Sequence, residues 1–183
     1  AVIGTNDKAS IPDFIVSGSI PSLDHYSFQR SYYQEGAYSG YVPIMNGCNN
    51  FCSYCIVPYV RGREVSRPVE DIIEEIKALE EKKVREITLL GQNVNSYSSE
   101  YNGSHVDFPT LLEIIVPYME SIEFVRFESP HPKDFSDHLI DVIARERRIA
   151  SHIHLPMQSG STRILSLMNR KNTRESFISL VGK

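Results

Sequence analysis

The sequence predicts an α/β fold with a parallel sheet of about four β-then-α units, the plan of a TIM-type barrel. From residue 41 onward, short strand-like segments alternate with longer segments whose apolar residues recur at helical spacing. Connections of this order make successive strands parallel and place helices over the sheet. Because about four units do not close a barrel, we expect a partial, truncated one. A doubly wound, flavodoxin-like sheet is the alternative.

Strands and helices alternate in the prediction, except that two helices follow each other at the end. The strand-like segments are YVPIMNG (41–47), EITLLG (86–91), EFVRFES (123–129) and HIHLPMQ (152–158). The helical segments are 68–84, 109–119, 136–148, 161–170 and 173–182. Pro68 suits the first turn of its helix, and Pro117 is expected to kink or end the second one.

Residues 1–40 differ from the rest of the chain. They are rich in Tyr, Ser and Gly and show no clean period. AVIGT at the start is predicted as one short strand, and the remainder as a linker or the tail of a preceding domain. We therefore expect two parts: this segment, and a core domain at 41–183 that is incomplete at its carboxyl end.

Composition narrows the class of protein. The chain has 183 residues, 41% of them hydrophobic, and a net charge of −4. No apolar run approaches the roughly 18 residues of a membrane span, and no signal peptide is evident. These features predict a cytoplasmic globular protein without a membrane partner. The clearest basic cluster is RGREVSR, with Arg61, Arg63 and Arg67.

Alternation along the predicted strands separates an apolar face from a polar one. If the apolar face packs against helices, the inner face of the sheet contains Arg126, Glu128, His154 and Gln158. Bulky branched residues usually fill a TIM interior, so this polar face predicts a cavity that holds a ligand. His154 is expected to be a satisfied inner-face histidine, and His131, between two prolines, a turn residue.

All three cysteines lie in NGCNNFCSYC, residues 46–55. Cys48, Cys52 and Cys55 have the spacing C-x₃-C-x₂-C. An odd number excludes a complete disulfide framework, and the clustering favours a metal in a reducing compartment. Structural zinc needs four ligands, and the next histidine along the chain is His105. A 4Fe-4S cluster with three thiolates leaves one iron open, and we favour it over zinc.

The cysteine motif resembles that of the radical S-adenosylmethionine superfamily. EITLLGQNVNSY, ESPHP and HLPMQSGSTRILSLMNR extend this likeness to the methylthiotransferases, from about residue 40 to the end. Within these, LLGQNVNSY is similar to MiaB-type enzymes, which act on tRNA. The resemblance implies reductive cleavage of S-adenosylmethionine to a 5′-deoxyadenosyl radical. It also implies addition of a methylthio group to N6-isopentenyladenosine beside the anticodon.

The resemblance also implies roles for single residues. Cys48, Cys52 and Cys55 would bind the cluster, and Tyr54 would pack against the adenine of the cofactor. Pairs at the ends of predicted strands are further candidates for binding S-adenosylmethionine. They are Gln92 and Asn93, Glu128 and Ser129, and Gln158 and Ser159. Candidates for contact with RNA phosphate or the cofactor carboxylate are Arg61, Arg63 and Arg67.

The family implies more than this sequence contains. Its preceding domain holds three further cysteines for a second 4Fe-4S cluster, and its last domain, TRAM, binds RNA. We therefore expect this chain to hold the site that cleaves S-adenosylmethionine without completing methylthiolation alone. The expected partners are tRNA, bound mostly through other domains, and an electron donor such as flavodoxin; no obligate protein partner is evident.

Two other functions stay open on sequence alone. One is methylthiolation of a ribosomal protein aspartate, although such enzymes read more like GQDT where this chain has GQNV. The other is a non-catalytic RNA-binding module stabilised by zinc. That module predicts a basic surface, which the net charge of −4 does not favour.

Overall fold

Three parallel strands form the central sheet of the computed structural model, which describes residues 11–17, 26–28, 30 and 36–183. Their spatial order is β1 (Ser39–Pro43), β4 (Glu86–Leu90) and β7 (Phe124–Phe127). Ser39 lies opposite Glu86, and Glu86 lies opposite Phe124, so the strands end at one edge. The loops that follow the strands meet at this carboxyl edge, where sites of such folds lie.

The remaining elements surround this sheet. The helices are α1 (Ile11–Ser17), α2 (Val57–Arg61), α3 (Val69–Glu81), α4 (Phe108–Ile115), α5 (Asp137–Arg145), α6 (Thr162–Leu167) and α7 (Arg174–Val181). Two antiparallel hairpins pair β2 (Met45–Asn46) with β3 (Val65–Ser66), and β5 (Ser98–Tyr101) with β6 (Ser104–Asp107). Short 3-10 helices cover Val94–Ser96, Val116–Tyr118 and Pro132–Asp134. None of the described helices is long and apolar enough to cross a membrane.

The apolar core lies between the sheet and helices α3, α4 and α5. Ile72 and Ile76 of α3 are fully buried in it, together with Ile87 of β4 and Val125 of β7. Burial of each such side chain stabilises the fold by about 1.5–3 kcal/mol. The predicted apolar face is therefore confirmed for β4 and β7.

Most predicted elements form close to their expected limits. The predicted strand 41–47 divides at Ile44, because its chain changes partner there. The Ile44 amide donates to Leu90 of β4, whereas its carbonyl accepts from Arg67, next to β3. The predicted helix 109–119 is divided into α4, which ends at Ile115, and a 3-10 turn that contains Pro117. The proline is thus where the α-helix stops, as predicted.

The prediction of a strand at 152–158 is wrong. The chain pairs with β7 only just before this segment, through Val125 with Arg148 (2.7 Å) and Ala150 with Val125 (2.9 Å). It then leaves the sheet as an irregular segment. Pro156 has no N–H to donate to a ladder. The sheet of the described chain therefore has three strands, while the predicted α/β class with parallel strands is confirmed.

The amino-terminal predictions have a mixed status. AVIGT lies outside the described residues. Within the predicted linker the structure shows helix α1, and the exposed side chain of Arg30 pairs with Glu74 of α3. β1 begins at Ser39, close to the predicted domain boundary, although that boundary stays a prediction.

Candidate cofactor site

The cysteine loop begins at a glycine whose surroundings leave no room for a side chain. Gly47 has a φ of +78°, and a Cβ at this position would lie 2.0 Å from the carbonyl oxygen of Arg63. This close approach lets the Cys48 amide donate to the Gly62 carbonyl at 3.2 Å. The β2–β3 hairpin therefore fixes the point where the first cysteine leaves the sheet.

Polar side chains hold the start of the loop. The Asn49 amide donates to Glu64 Oε1 at 3.1 Å, and the Glu64 amide donates to Asn49 Oδ1 at 3.3 Å. The guanidinium of Arg63 lies over the Phe51 ring, 4.5 Å from its centroid. The two bonds between Asn49 and Glu64 are reciprocal, and together with the stacking contact they fix the path of the loop over the hairpin.

The turn after α6 holds the other side of the loop. We call residues 167–170, Leu-Met-Asn-Arg, the LMNR turn. The Ser53 amide donates to the Met168 carbonyl at 3.0 Å, and Asn169 Nδ2 donates to the Phe51 carbonyl at 2.9 Å. Both Phe51 (φ 48°) and Asn169 (φ 55°) have left-handed backbone, which these bonds support. The loop is therefore packed between the hairpin and the LMNR turn.

A cavity of about 310 Å³ opens beside the cysteine loop at the carboxyl edge of the sheet. All three cysteines are free, with Cys48 and Cys52 buried and Cys55 half-buried. The residues that line the cavity are Cys48, Asn50, Cys52, Tyr54, Cys55, Gln92, Ser129, Pro130, His131, His154, Pro156, Gln158 and Arg170. Five segments of the chain, far apart in sequence, thus converge on one space.

Several buried polar atoms in this lining have no partner among the described residues. They are Oε1 of Gln92, Nε2 of His131 and Nε of Arg170. His131 Nδ1 accepts from the Lys133 amide at 3.1 Å, which assigns the ring proton to Nε2. Because buried polar groups are costly without a hydrogen bond, these atoms indicate a polar ligand in the cavity.

The lining includes backbone strain at two predicted cofactor residues. Ser129 has a φ of 60° and Gln158 a φ of 65°, in the left-handed region that costs a non-glycine residue about 1–2 kcal/mol. Strain of this kind clusters at ligand sites, where the surroundings keep a side chain in place. Both residues face the same cavity from different loops.

The electrostatics of the site follow from burial. Burial raises the pKa of the Cys48 thiol; a bond from the Asn50 amide opposes the rise, and the Glu64 carboxylate adds to it. Burial, together with repulsion from Arg170, lowers the pKa of His131 to about 4. The imidazole is therefore neutral near pH 7, and its Nε2–H is available as a donor.

The predicted site residues divide into two groups. Seven of them line the cavity: Cys48, Cys52, Cys55, Tyr54, Gln92, Ser129 and Gln158. Asn93 is instead buried, and its Nδ2 donates to Asp134 at 2.8 Å. Glu128 lines a neighbouring cavity of about 330 Å³, and Ser159 accepts from the Ser161 amide at 3.2 Å. Arg126 pairs with Glu86 at 2.8 Å rather than facing a ligand.

The three candidate arginines have different surroundings. Arg61 is exposed and borders the neighbouring cavity, with Nη1 at 3.4 Å from Asn46 Oδ1. Arg63 is exposed as well and stacks on Phe51, as described above. Arg67 is only 2% exposed and forms an ion pair with Glu75. This placement does not fit a residue that contacts RNA phosphate.

Sequence reasoning missed several lining residues. His131 is predicted only as a turn residue and His154 only as a satisfied histidine, yet both line the cavity. Nothing in the local sequence of Arg170 distinguishes it from a solvated arginine. Among the described residues, no group of three or more His, Cys, Asp or Glu side chains is arranged to hold a single metal ion.

Comparison with known proteins identifies the family. The radical SAM superfamily matches residues 42–183, and the chain belongs to that superfamily. Membership supports an iron–sulfur cluster and S-adenosylmethionine as its cofactors.

Curated relatives share more than half of the aligned residues. The tRNA-2-methylthio-N(6)-dimethylallyladenosine synthase of Treponema pallidum (strain Nichols) is 54% identical over 162 residues, which are 86% of this chain and 36% of the relative. The protein of the same name from Bacteroides fragilis (strain YCH46) is 57% identical over 145 residues, 79% of this chain and 32% of the relative. The chain thus spans about a third of the length of these relatives.

A solved structure shares the fold. It is the radical S-adenosylmethionine methyltransferase TsrM from Kitasatospora setae, with cobalamin and a 4Fe-4S cluster bound. The TM-score is 0.53 at 18% identity, and the alignment covers 78% of this chain and 28% of that protein. The likeness is consistent with a partial TIM-type core.

Proposed function

We propose that this chain is the cofactor-binding core of a tRNA methylthiotransferase that modifies N6-isopentenyladenosine next to the anticodon. The observation behind this proposal is the cavity in which three free thiols face unpartnered polar atoms. The names of the relatives support the reaction and the tRNA substrate. The superfamily match supports the radical chemistry.

Cys48, Cys52 and Cys55 would bind a 4Fe-4S cluster. Thiolates are the ligands that iron–sulfur clusters use, and no carboxylate is among the described lining residues. Such a cluster, with three protein ligands, would leave a coordination position for the amine and carboxylate of S-adenosylmethionine. When bound and reduced, the cluster supplies the electron that cleaves the cofactor to methionine and a 5′-deoxyadenosyl radical.

The other lining residues would orient the cofactor. Gln92 Oε1 would accept a hydrogen bond, and His131 Nε2–H would donate one, which satisfies both buried atoms. Ser129 and Gln158 would contact the ribose from neighbouring loops. Tyr54, 52% exposed at the rim, would pack against the adenine. Together they exclude water from a site where a primary carbon radical forms.

Binding of the tRNA acceptor and donation of sulfur need groups outside the cysteine cavity. The three cysteines of the chain all lie in one loop, so a second cluster needs cysteines from outside this sequence. Arg61, which borders the neighbouring cavity, and Arg63 are both exposed and would contact RNA phosphate. A low-potential one-electron donor, such as a flavodoxin, would reduce the cluster.

The first test is anaerobic reconstitution with iron and sulfide, read by EPR and metal analysis. We expect a 4Fe-4S signal that shifts on addition of S-adenosylmethionine. Cys55→Ser should lose the signal, whereas Ile56→Ala, a 65% exposed neighbour without sulfur, should keep it. Stoichiometric zinc without iron uptake would contradict the proposal.

A second test separates cofactor cleavage from the whole reaction. With dithionite as reductant, the reconstituted chain should release 5′-deoxyadenosine from S-adenosylmethionine. Isopentenylated tRNA incubated with it should gain no methylthio group by nucleoside mass spectrometry. Detection of the methylthio nucleoside would show that this core alone completes methylthiolation, and it would contradict the proposal that other parts of the enzyme are needed.

A further inference from the structure

Arg170 is the last residue of the LMNR turn and lies in the wall of the cavity, only 9% exposed. Its Nη2 donates to the Pro156 carbonyl at 3.1 Å, and its Nη1 lies 3.9 Å from Cys52 Sγ, within hydrogen-bond range for sulfur. It is also within hydrogen-bonding reach of the Tyr54 side chain. One side chain therefore joins the cysteine loop to the irregular segment across the cavity.

No carboxylate among the described residues forms an ion pair with Arg170. Its described contacts are a thiol, a carbonyl and a phenol, and Nε has no partner among the described residues. Among the described lining residues it is the only one with a permanent charge, since His131 is neutral near pH 7. A guanidinium buried in this way is costly unless an anion completes its environment.

We propose that Arg170 is a positioning residue that fixes Cys52 and stabilises the negative charge of the reduced cluster. This inference rests on the proposed function, because it requires a cluster bound to Cys52. In the reduction step the cluster gains one electron from a low-potential donor, and Arg170 neither gains nor loses a proton. A fixed positive charge close to a sulfur ligand favours the more negative, reduced state.

The LMNR turn also offers an uncharged control. Asn169 contacts the same loop through the carbonyl of Phe51 at 2.9 Å. It therefore shares the structural part of the role of Arg170 without its charge. A variant at Asn169 separates the support of the loop from the electrostatic effect on the cluster.

The experiment compares Arg170→Gln, Arg170→Lys and Asn169→Ala with the wild-type 183-residue chain after anaerobic reconstitution. The readouts are iron content and the midpoint potential of the cluster from EPR-monitored titration without S-adenosylmethionine. We expect Arg170→Gln to make the one-electron reduction about tenfold less favourable, a shift of about 59 mV to more negative potential. Arg170→Lys should keep most of the wild-type potential, and Asn169→Ala should lower iron retention without moving the potential.

Each outcome decides between the alternatives. Loss of iron in Arg170→Gln but not in Arg170→Lys would also support the proposal, because the charge then holds the ligand. An unchanged potential in Arg170→Gln with full iron content would overturn it, as would equal loss of iron in both Arg170 variants. If the wild-type chain itself forms no cluster, the proposed function fails first.

Discussion

His131 shows how the surroundings of one residue set its protonation state. Its amide donates to Asn95 Oδ1 at 2.8 Å and its carbonyl accepts from Asn95 Nδ2 at 3.0 Å, which keeps the ring in the cavity wall. Burial and the nearby guanidinium of Arg170 lower its pKa to about 4. The imidazole is thus a fixed neutral donor rather than a titrating one at neutral pH.

This lowered pKa predicts a pH dependence of stability. The unfolded chain binds a proton at His131 near its ordinary pKa of 6.5, whereas the folded chain resists protonation down to about pH 4. The contribution of neutral His131 to the free energy of unfolding is therefore complete above pH 6.5, and it is lost as the pH falls towards 4. Between pH 6.5 and 4, the free energy of unfolding of the wild type should fall by on the order of 1 kcal/mol more per pH unit than that of His131→Asn, measured by urea unfolding. Parallel pH profiles would contradict this expectation.

Arg67 is a residue whose role only the fold reveals. Besides Glu75, it donates to the Pro43 carbonyl at 3.2 Å and the Asp71 carbonyl at 3.3 Å, joining the end of β1 to α3. In the sequence it belongs to the same basic cluster as Arg61 and Arg63. Because charge patterning does not report burial, the three arginines look equivalent before the structure separates them.

Replacement of Arg67 should affect stability more than function. Arg67→Leu leaves a carboxylate buried without its cation, which costs about 3–5 kcal/mol. Arg63→Leu removes only a stacking contact at the surface and should cost about 0.5–1 kcal/mol. Urea unfolding of both variants measures the difference. Equal stabilities would mean that the Arg67–Glu75 pair is solvated.

At the level of elements, the β2–β3 hairpin determines where the cysteine loop starts. Gly47 and Gly103 both have a positive φ, of 78° and 74°. A Cβ at Gly103 would meet nothing within 4 Å, whereas one at Gly47 would meet backbone atoms of Gly62 and Arg63, just before β3. The two glycines thus share the same backbone conformation but differ in steric room.

This pair gives a matched prediction. Gly103→Ala should cost about 1–2 kcal/mol, the cost of left-handed backbone alone. Gly47→Ala should cost clearly more and should reduce iron uptake, because the hairpin must open to admit the methyl group. Urea unfolding and iron content measure the two effects. Full cluster uptake by Gly47→Ala would show that the hairpin does not position Cys48.

Elements were predictable where their own sequence pattern decides them. α3 and β4 follow from apolar spacing that the core requires. The β5–β6 hairpin was not predicted, although Asn102-Gly103 is the usual signal for a two-residue turn with positive φ. The false strand at 152–158 has a suitable alternation, but pairing depends on a neighbour that the pattern does not report. That the three cysteines line one cavity could be predicted from their spacing, whereas the position of Arg170 depends on contacts between distant segments.

At the scale of the whole molecule, the core and the cofactor site are separate. The apolar core lies between the sheet and α3, α4 and α5, and none of the three cysteines belongs to it. The cysteine loop is instead held by hydrogen bonds to the β2–β3 hairpin and the LMNR turn. Removal of a cluster would therefore relax the loop without dissolving the core.

We expect the cluster-free chain to keep its helices. After the iron is removed by chelation, the far-UV circular dichroism of the chain should stay within about a tenth of the reconstituted value. The reason is that most of the stability comes from apolar side chains buried outside the site. Trypsin should cut at Arg61 and Arg63 at least about fivefold faster, because local opening controls such cleavage. Cooperative loss of helix on iron removal would contradict this separation of core and site.

The contact between the cysteine loop and the LMNR turn also has a consequence for biosynthesis. Ser53 and Leu167, which share a hydrogen bond of 3.1 Å, are 114 residues apart in the chain. At a ribosomal rate of about 5–20 residues per second, the loop is made roughly 6–23 s before the turn that completes its packing. During that interval its thiols are open to oxygen and to stray metals. Loading with iron and sulfide is therefore expected after translation of α6, and a stall between these two segments would favour oxidised protein.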